Sequence, residues 1–304
     1  MLRPTEEVPL VSATSLLLVL ISVGTHAYWN YLLKRSGGGQ LFVGLSKIAE
    51  VVLLAPVFLF MGAADAAAHF QVLWPLAIVG AALTLTNYGM LAIAYERGDL
   101  SLVYPISRGA VLLFLPILGF FVFGEHVDAA GWVAIAAIIA GIVVLQLPAL
   151  DRASLLGLTR RVSRSAASGY ALLAALAAAG YTVWDKRAVG MLSAFTYFYS
   201  YTVLVGLAYA IYIAPRYDRA AIASEWRAHR APIVQVGILN TITYLLVLVA
   251  LRTGVSSYVV GLRQLSVGVG ALLGWQLLGE ELGLPKRVGI AMLIAGSVLV
   301  ALAR

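Results

Sequence analysis

The sequence predicts an all-α integral membrane protein in which ten transmembrane helices form two inverted five-helix repeats. Three observations predict this fold class: an apolar composition, ten long apolar runs, and a match between the two halves of the chain. Of the 304 residues, 62% are hydrophobic and 12% are charged, and the mean hydropathy is +0.93. Because a soluble domain carries about 25% charged residues, this composition excludes a soluble enzyme and a disordered scaffold.

The basic residues agree with the same class. The formal net charge is +7, but the lysines and arginines concentrate in short connections between the apolar runs, as membrane topology requires. We therefore expect the lipid bilayer, and no nucleic acid, as a partner. The chain contains no cysteine, which excludes disulfide bonds and cysteine-based zinc sites.

The ten runs are unbroken and apolar over the length that a spanning helix needs, about 20 residues, whereas barrel strands alternate over about 10 residues. They cover residues 10–34, 40–62, 70–95, 100–123, 129–148, 166–188, 193–214, 231–251, 256–278 and 287–303. The first run lacks a cleavage site and is interpreted as a retained helix. We expect a multi-pass protein of the inner (cytoplasmic) membrane.

A shift of 155 residues aligns the second half of the chain with the first. It pairs Arg108 with Arg263 and Glu125 with Glu280, in a gapless match of residues 98–147 with 253–302. The sequence thus predicts a first repeat at residues 1–150, a linker at 151–165 and a second repeat at 166–304. Since five helices are an odd number, the second repeat enters the membrane from the opposite side. Inverted repeats of this kind permit alternating access to a site between them.

Three stretches resemble the EamA-like branch of the drug/metabolite transporter superfamily. They are Phe114-Leu115-Pro116-Ile117 through Gly124-Glu125 to Ala140-Gly141; Leu272 through Gly279-Glu280 to Ala295-Gly296, with Ala271 in place of the proline; and Ala94 to Asp99. The resemblance covers essentially the whole chain. It implies a ten-helix carrier of small metabolites or drugs. From the inverted repeat and the paired arginines Arg108 and Arg263 we expect the substrate to be a small amphipathic metabolite, such as an amino acid or related organic anion, and the resemblance implies export. Two other interpretations stay open: a multidrug/proton antiporter and a membrane protein that does not transport.

Arg108 and Arg263 are the principal candidate binding residues. An ionisable residue at the bilayer centre costs about 2.5–3.5 kcal/mol, so we expect both to face the protein interior or a wet cavity. Each lies seven residues after a serine, Ser101 or Ser256, on the same helix face. Either they bind an anionic substrate group or hold the gates, or each fixes helix packing by binding backbone carbonyls or a glutamate.

Lys47 and Glu50 are spaced i, i+3, so they can meet on one helix face. One interpretation is an internal ion pair that neutralises both charges. The other is a proton-coupling carboxylate at Glu50. The sequence has no metal-binding motif and no phosphate-binding loop, so we expect no metal, no cofactor and no enzymatic activity.

A polar stripe on the first run contains His26 and Asn30, and the equivalent run of the second half carries Tyr181. Trp29 and Trp184, which match at the same shift, lie beside these stripes. We expect these faces to line a central cavity. The tryptophans have an alternative role as anchors at the membrane interface.

Tyr104, Asn87 and Asn240 complete the candidate cavity residues. Tyr104 precedes Pro105, which either kinks its helix or lies harmlessly in the first turn. The alternative for the two asparagines is hydrogen bonding between helices. Gly270 and Gly274 have the spacing of a close helix contact, as do Ala136 and Ala140.

The orientation indicated by charge conflicts with the resemblance. Outside the runs, five lysines and arginines lie on the side of the N-terminus and thirteen on the other side. The positive-inside rule therefore places both termini outside the cytoplasm, whereas the resemblance implies that both are inside. The sequence leaves the oligomeric state open between monomer and dimer.

Overall fold

The computed structural model describes residues 12–37 and 39–302, and within these ranges every regular element is a helix. The residues of the first and last predicted runs that fall at 10–11 and 303 lie outside the described part. The helices are α1 (Ala13–Arg35), α2 (Gln40–Met61), α3 (Ala63–Ala68), α4 (Phe70–Arg97), α5 (Leu100–Phe123), α6 (Ala129–Leu145), α7 (Arg152–Arg164), α8 (Ala166–Met191), α9 (Ala194–Ile213), α10 (Arg219–Leu251), α11 (Ser256–Arg263), α12 (Leu265–Leu278) and α13 (Leu284–Leu302).

Eight of the described helices are long and apolar enough to cross a membrane. The other two predicted runs are occupied by different elements. Helix α6 is apolar but has only 17 residues, and the run at 256–278 is divided into α11 and α12 at Gln264. The sequence analysis predicts one continuous helix there. This prediction is wrong, because the helix is interrupted at Gln264, between Arg263 and Leu265.

Several connections between the apolar runs are helical. Asp151 accepts a hydrogen bond from the Ser154 amide at 2.7 Å and so starts α7 in the predicted linker. Asp218 accepts from the Ala221 amide at 2.7 Å, so α10 begins twelve residues before its predicted run. The backbone of α10 is kinked at His229, where φ is −128° and ψ is 17°.

Contacts between helices occur in pairs when the two halves are exchanged. Helix α1 packs on α10 as α4 packs on α8, and α2 packs on α10 as α4 packs on α9. Likewise α1 packs on α11 and α12 as α5 packs on α8. The pairs α2–α9 and α6–α13 each join equivalent helices. The repeat detected in the sequence is therefore accompanied by a matching pattern of packing.

Helices α6 and α13 approach so closely that their interface requires glycine. A Cβ atom on Gly289 would lie 2.7 Å from the Leu145 amide nitrogen, and one on Gly296 would lie 2.9 Å from the Ala134 carbonyl oxygen. The close contact predicted at Gly270 is wrong, since nothing lies within 4 Å of a Cβ atom there. The spacing of small residues does not reveal which helix face meets a neighbour.

The two repeat-related helices α5 and α12 end in the same way. Gly124 and Gly279 adopt left-handed φ values of 68° and 69°, which glycine adopts without steric cost. The amide of the next residue, Glu125 or Glu280, returns 3.1 Å to the carbonyl of Gly119 or Gly274. This turn places one glutamate at each end of the molecule.

Candidate functional site

A cavity of about 550 Å³ lies between the two halves of the chain. We call the region around residues 33–40, 95–104 and 278–286 the α1 end, and the region around 123–128, 186–193 and 252–258 the α8 end. The lining reaches the α1 end at Leu33, Gln40 and Tyr95, whereas it stops at Thr182 and Val260 before the α8 end. The cavity is therefore approached from the α1 end.

Most of the candidate residues named from the sequence line this cavity. They are His26, Trp29, Asn30, Lys47, Glu50, Asn87, Tyr104, Arg108, Tyr181, Asn240 and Arg263. They come from α1, α2, α4, α5, α8, α10 and α11, so the fold brings together side chains that are far apart in the chain.

The two arginines have matching surroundings. The Cζ atom of Arg108 lies 5.7 Å from the ring centroid of Tyr104, and that of Arg263 lies 5.7 Å from the ring centroid of Tyr244. Within the described ranges, neither guanidinium forms an ion pair or donates to a backbone carbonyl. Both side chains therefore keep donors available to an anion in the cavity.

Pro105 lies in the sixth position of α5, so the alternative that it occupies the first helical turn is wrong. Helix α5 nevertheless continues through this proline without interruption. The break occurs in the second half instead, at Gln264, immediately after Arg263. The two arginines thus differ in backbone support: Arg108 lies on a continuous helix and Arg263 at the end of a short one.

Glu50 is buried, with 1% of its surface exposed, and its carboxylate has several partners. Lys47 Nζ donates to Oε2 at 2.9 Å, which is the internal ion pair considered from the sequence. Asn240 Nδ2 and Thr241 Oγ1 donate to Oε1 at 2.9 and 2.8 Å. The pair neutralises its own charge and joins α2 to α10, so the charge left in the cavity is that of the arginines.

His26 and Trp29 pack edge to face, with 4.9 Å between their ring centroids. Asn30 Nδ2 donates to the His26 carbonyl at 2.7 Å. Among the described residues, His26 Nδ1 and Trp29 Nε1 have no hydrogen-bond partner although both atoms are buried.

Trp184 is not part of the cavity wall, unlike the other candidates. Its Nε1 donates to the Leu76 carbonyl at 2.9 Å, so it joins α8 to α4. Asn87 has both roles considered from the sequence, since it lines the cavity and donates to the Ala174 carbonyl at 2.8 Å.

Sequence reasoning missed Tyr244 and the hydrogen bond that joins it to Asp185. Asp185 accepts hydrogen bonds from Tyr197 Oη at 2.7 Å and from Tyr244 Oη at 2.6 Å. A signal for Tyr244 exists in the sequence: a shift of 156 residues, the register in which Gly98 matches Gly254, pairs it with Tyr88. Both tyrosines line the cavity.

The α8 end is held by a buried cluster around Glu125. Lys186 Nζ donates to the Glu125 carboxylate and, at 2.7 Å, to the Gly254 carbonyl. The Ser256 amide and hydroxyl donate to Glu125 Oε1 at 3.2 and 3.1 Å. The side chains of Glu125 and Lys186 are 7% and 17% exposed, so solvent screens this ion pair little.

The equivalent glutamate at the α1 end makes weaker contacts. Glu280 pairs with Lys34 and, at 3.6 Å, with Lys286 Nζ, and the Lys34 side chain is 64% exposed. In the described structure Glu280 makes no bond to Ser101, the repeat equivalent of Ser256. The ion pair nearest the open side of the cavity is thus the exposed one.

No group of three or more histidine, aspartate or glutamate side chains that could hold a metal ion occurs in the described part of the chain. The chemistry that the cavity offers is hydrogen bonding, charge and aromatic contact.

Comparison with known proteins finds a transporter family whose model matches the second half of the chain. The model of the EamA-like transporter family matches residues 166–302. Multidrug transporter PA4990 of Pseudomonas aeruginosa is 29% identical over 107 residues, which cover 35% of this chain and 90% of that relative. The second half of the chain is thus similar to the EamA-like transporter family.

A solved crystal structure shares the fold of this chain. It superposes with a TM-score of 0.73 at 15% sequence identity, covering 95% of this chain and 97% of the other. At this identity the likeness concerns the fold alone.

Proposed function

We propose that the protein is a secondary transporter of the inner membrane that exports a small amphipathic organic anion, such as an amino acid or a related carboxylate, by alternating access. The observation that carries this proposal is the pair of arginines in the cavity without acidic partners. Lys47 and Glu50 neutralise each other, so the cavity lining keeps the positive charge of Arg108 and Arg263. A guanidinium binds a carboxylate through two parallel hydrogen bonds.

The rest of the wall suits the apolar part of such a substrate. Tyrosine rings flank both guanidinium groups, and Trp29 lies beside His26 with an unpaired ring nitrogen. An aromatic or aliphatic moiety of the substrate would contact these rings. Export as the direction rests on the family resemblance.

We further propose that the chain forms ten spans as two inverted repeats, with α11 and α12 together making the ninth span. The paired helix contacts support this arrangement, because exchange of the two halves reproduces them. The difference between the buried cluster of Glu125 and the exposed pair of Glu280 supports alternating access, with one end closed while the other is open.

Counterflow in proteoliposomes tests the proposed substrate class. Proteoliposomes that contain wild type, Arg263→Ala or Arg108→Ala are loaded with amino acids, organic acids, sugar phosphates or cationic dyes. Exchange of these compounds is followed by mass spectrometry. Arg227→Ala is the matched control, because this arginine lies on α10 outside the cavity lining. A hydrogen bond to a charged group contributes about 1.5–3 kcal/mol, so each cavity variant should bind an anion about 10- to 150-fold more weakly.

Selective exchange of anionic or zwitterionic metabolites by wild type and the control, lost in both cavity variants, is the expected result. Exchange of metabolites that survives both alanine variants would contradict the role of the arginines. Absence of any exchange by folded wild-type protein would contradict the transport proposal.

A second candidate is a multidrug/proton antiporter. It is favoured by the relative whose name is Multidrug transporter PA4990 and by the carboxylate of Glu50 in the cavity. This candidate predicts exchange of cationic dyes, and Glu50→Gln should abolish transport driven by a pH gradient. A metabolite carrier that does not use Glu50 for coupling keeps its transport in that variant.

A further inference from the structure

Asp185 is a carboxylate buried beside the cavity. It lies on α8 with 3% of its surface exposed, and each of its oxygens accepts a hydrogen bond from a tyrosine, Tyr197 on α9 and Tyr244 on α10. Within the described part of the chain, no lysine or arginine forms an ion pair with it. Glu50, in contrast, has Lys47 as its partner. Asp185 is therefore a buried acid that forms no ion pair with a lysine or arginine of the described residues.

Tyr244 connects this acid to the cavity. Its ring lies under the guanidinium of Arg263 at 5.7 Å, its side chain lines the cavity, and its hydroxyl donates to Asp185 Oδ2 at 2.6 Å. A proton can reach Asp185 when the Tyr244 hydroxyl passes its proton to the carboxylate and takes another from the cavity. The net change is one proton moved from solvent to Asp185, whose charge goes from −1 to zero.

Other ionisable groups around Asp185 are mostly tyrosines. Besides Tyr197 and Tyr244, Tyr201 on α9 and Tyr181 on α8 face it, and Arg263 on α11 is the nearby cation. From the two other helices packed on this part of α8, Tyr88 on α4 and Arg108 on α5 face Tyr181. Near pH 7 tyrosines are neutral and arginines are charged, so Asp185 is the carboxyl group in this set that can gain or lose a proton.

We propose that Asp185 is the proton-binding site of the transporter and that its charge controls the binding of an anionic substrate at Arg263. The second part of this inference, the control of substrate binding, rests on the proposed function, whereas the proton site does not. The cavity lining holds three cations, Lys47, Arg108 and Arg263, against one anion, Glu50. When Asp185 is ionised, it offsets one of the two positive charges that Glu50 leaves uncompensated. When Asp185 is protonated, both positive charges are again uncompensated.

The sign of the coupling follows from this charge balance. A protonated Asp185 leaves more positive charge for an organic anion, and an anion at Arg263 makes protonation of Asp185 more favourable by the same factor. Proton and anion therefore bind together and cross the membrane in the same direction, so that export of the anion is driven by its own concentration gradient and carries a proton outward. In an antiporter they would instead compete for the cavity.

Infrared difference spectroscopy of the purified protein, titrated with acid in the absence of any substrate, tests the proton site directly. A protonated carboxylic acid has its own C=O stretching band. We expect this band to appear on acidification in wild type and in Glu50→Gln, the matched control, and to be missing in Asp185→Asn. In Tyr244→Phe the band should move to higher frequency, because the acid loses a hydrogen bond.

The same acid band in Asp185→Asn as in wild type would overturn the proposal, as would an unshifted band in Tyr244→Phe. Transport measurements distinguish a failure of the proposed proton site from a failure of the proposed transport function. Asp185→Asn should lose acceleration of uptake by an imposed pH gradient, whereas Arg227→Ala, outside the cavity lining, should keep both counterflow and this acceleration. Wild-type protein that shows the acid band without any counterflow would refute the transport function and leave the proton site established.

Discussion

Replacing Glu125 with glutamine tests whether charge holds the α8 end closed. The carboxylate of Glu125 receives hydrogen bonds from Lys186 and from the amide and hydroxyl of Ser256. Glutamine keeps an acceptor oxygen but loses the negative charge. Hydrogen bonds to a charged group contribute about 1.5–3 kcal/mol and neutral ones about 0.5–1.5 kcal/mol. The closed arrangement should therefore lose about 1–3 kcal/mol, which increases the open population about 5- to 150-fold.

The assay uses the absence of cysteine from the chain. Ser257, the second residue of α11, is fully buried at the α8 end, so Ser257→Cys provides one reporter for a membrane-impermeant maleimide. Its labelling rate follows the fraction of molecules in which this end is open. We expect Glu125→Gln to accelerate labelling about 5- to 150-fold over the reporter alone.

Glu280→Gln is the matched control, because Glu280 occupies the equivalent position of the other repeat. Its ion pair with Lys34 is exposed, and exposed pairs contribute about 0–1 kcal/mol, so labelling should change by less than about 5-fold. Equal acceleration in both variants would refute the reasoning, since it would mean that the buried cluster holds this end no better than the exposed pair. An unchanged rate in Glu125→Gln would refute it as well.

Two further predictions concern stability and are measured as melting temperatures of the purified protein. Gly289→Ala should destabilise the protein by about 1–3 kcal/mol, because the added methyl group clashes with the backbone of α6. Gly270→Ala is the control and should not destabilise it, because the methyl group there meets open space. Equal effects of the two substitutions would contradict the close approach of α6 and α13. The hydrogen bond from Lys34 holds the pKa of Glu280, in the loop after α12, below its usual range. A lowered carboxyl pKa adds stability above the unfolded pKa, and this contribution is lost as the pH falls through the folded pKa. The deficit of Lys34→Met should therefore vanish on acidification, and a deficit independent of pH would argue against the pair.

The sequence could predict the fold class and the faces of helices that meet the cavity. Apolar runs identify the spans, and the energetic cost of a charge in lipid requires Arg108, Arg263 and Glu50 to face inward. The repeat then relates residues that occupy equivalent positions. These arguments depend on composition, periodicity and register, all of which can be read along one chain.

Partners across helices could not be predicted in the same way. Tyr244 and Asp185 are 59 residues apart, and helical periodicity shows which face a residue occupies but not which neighbour it meets. The same limit applies to Trp184, whose bond to Leu76 turns it away from the cavity. The break at Gln264 lies three residues after Gly261, whose carbonyl accepts the Gln264 amide at 3.0 Å, so a glycine marks the region of the break but not its position.

Helix α7 and the first twelve residues of α10 were not predicted, although the residues that cap their N-termini are visible in the sequence. Asp151 and Asp218 each precede a segment that is too polar for a span, and attention to apolar runs passes over such segments. The capping residues, rather than hydropathy, determine where these helices begin.

The buried ion pair of Lys47 and Glu50 on α2 has a consequence for how the sequences of the two halves can diverge in evolution. In a symmetric assembly of two identical chains, every substitution appears twice, so a charge added to the shared cavity is always doubled. Covalent joining of the halves removes that constraint. Lys47 and Glu50 have uncharged equivalents at Thr202 and Val205, and Asp185 stands where the first half has Asn30. Each half can thus acquire or lose one charge at a time, and the ionic character of the cavity can change in single units.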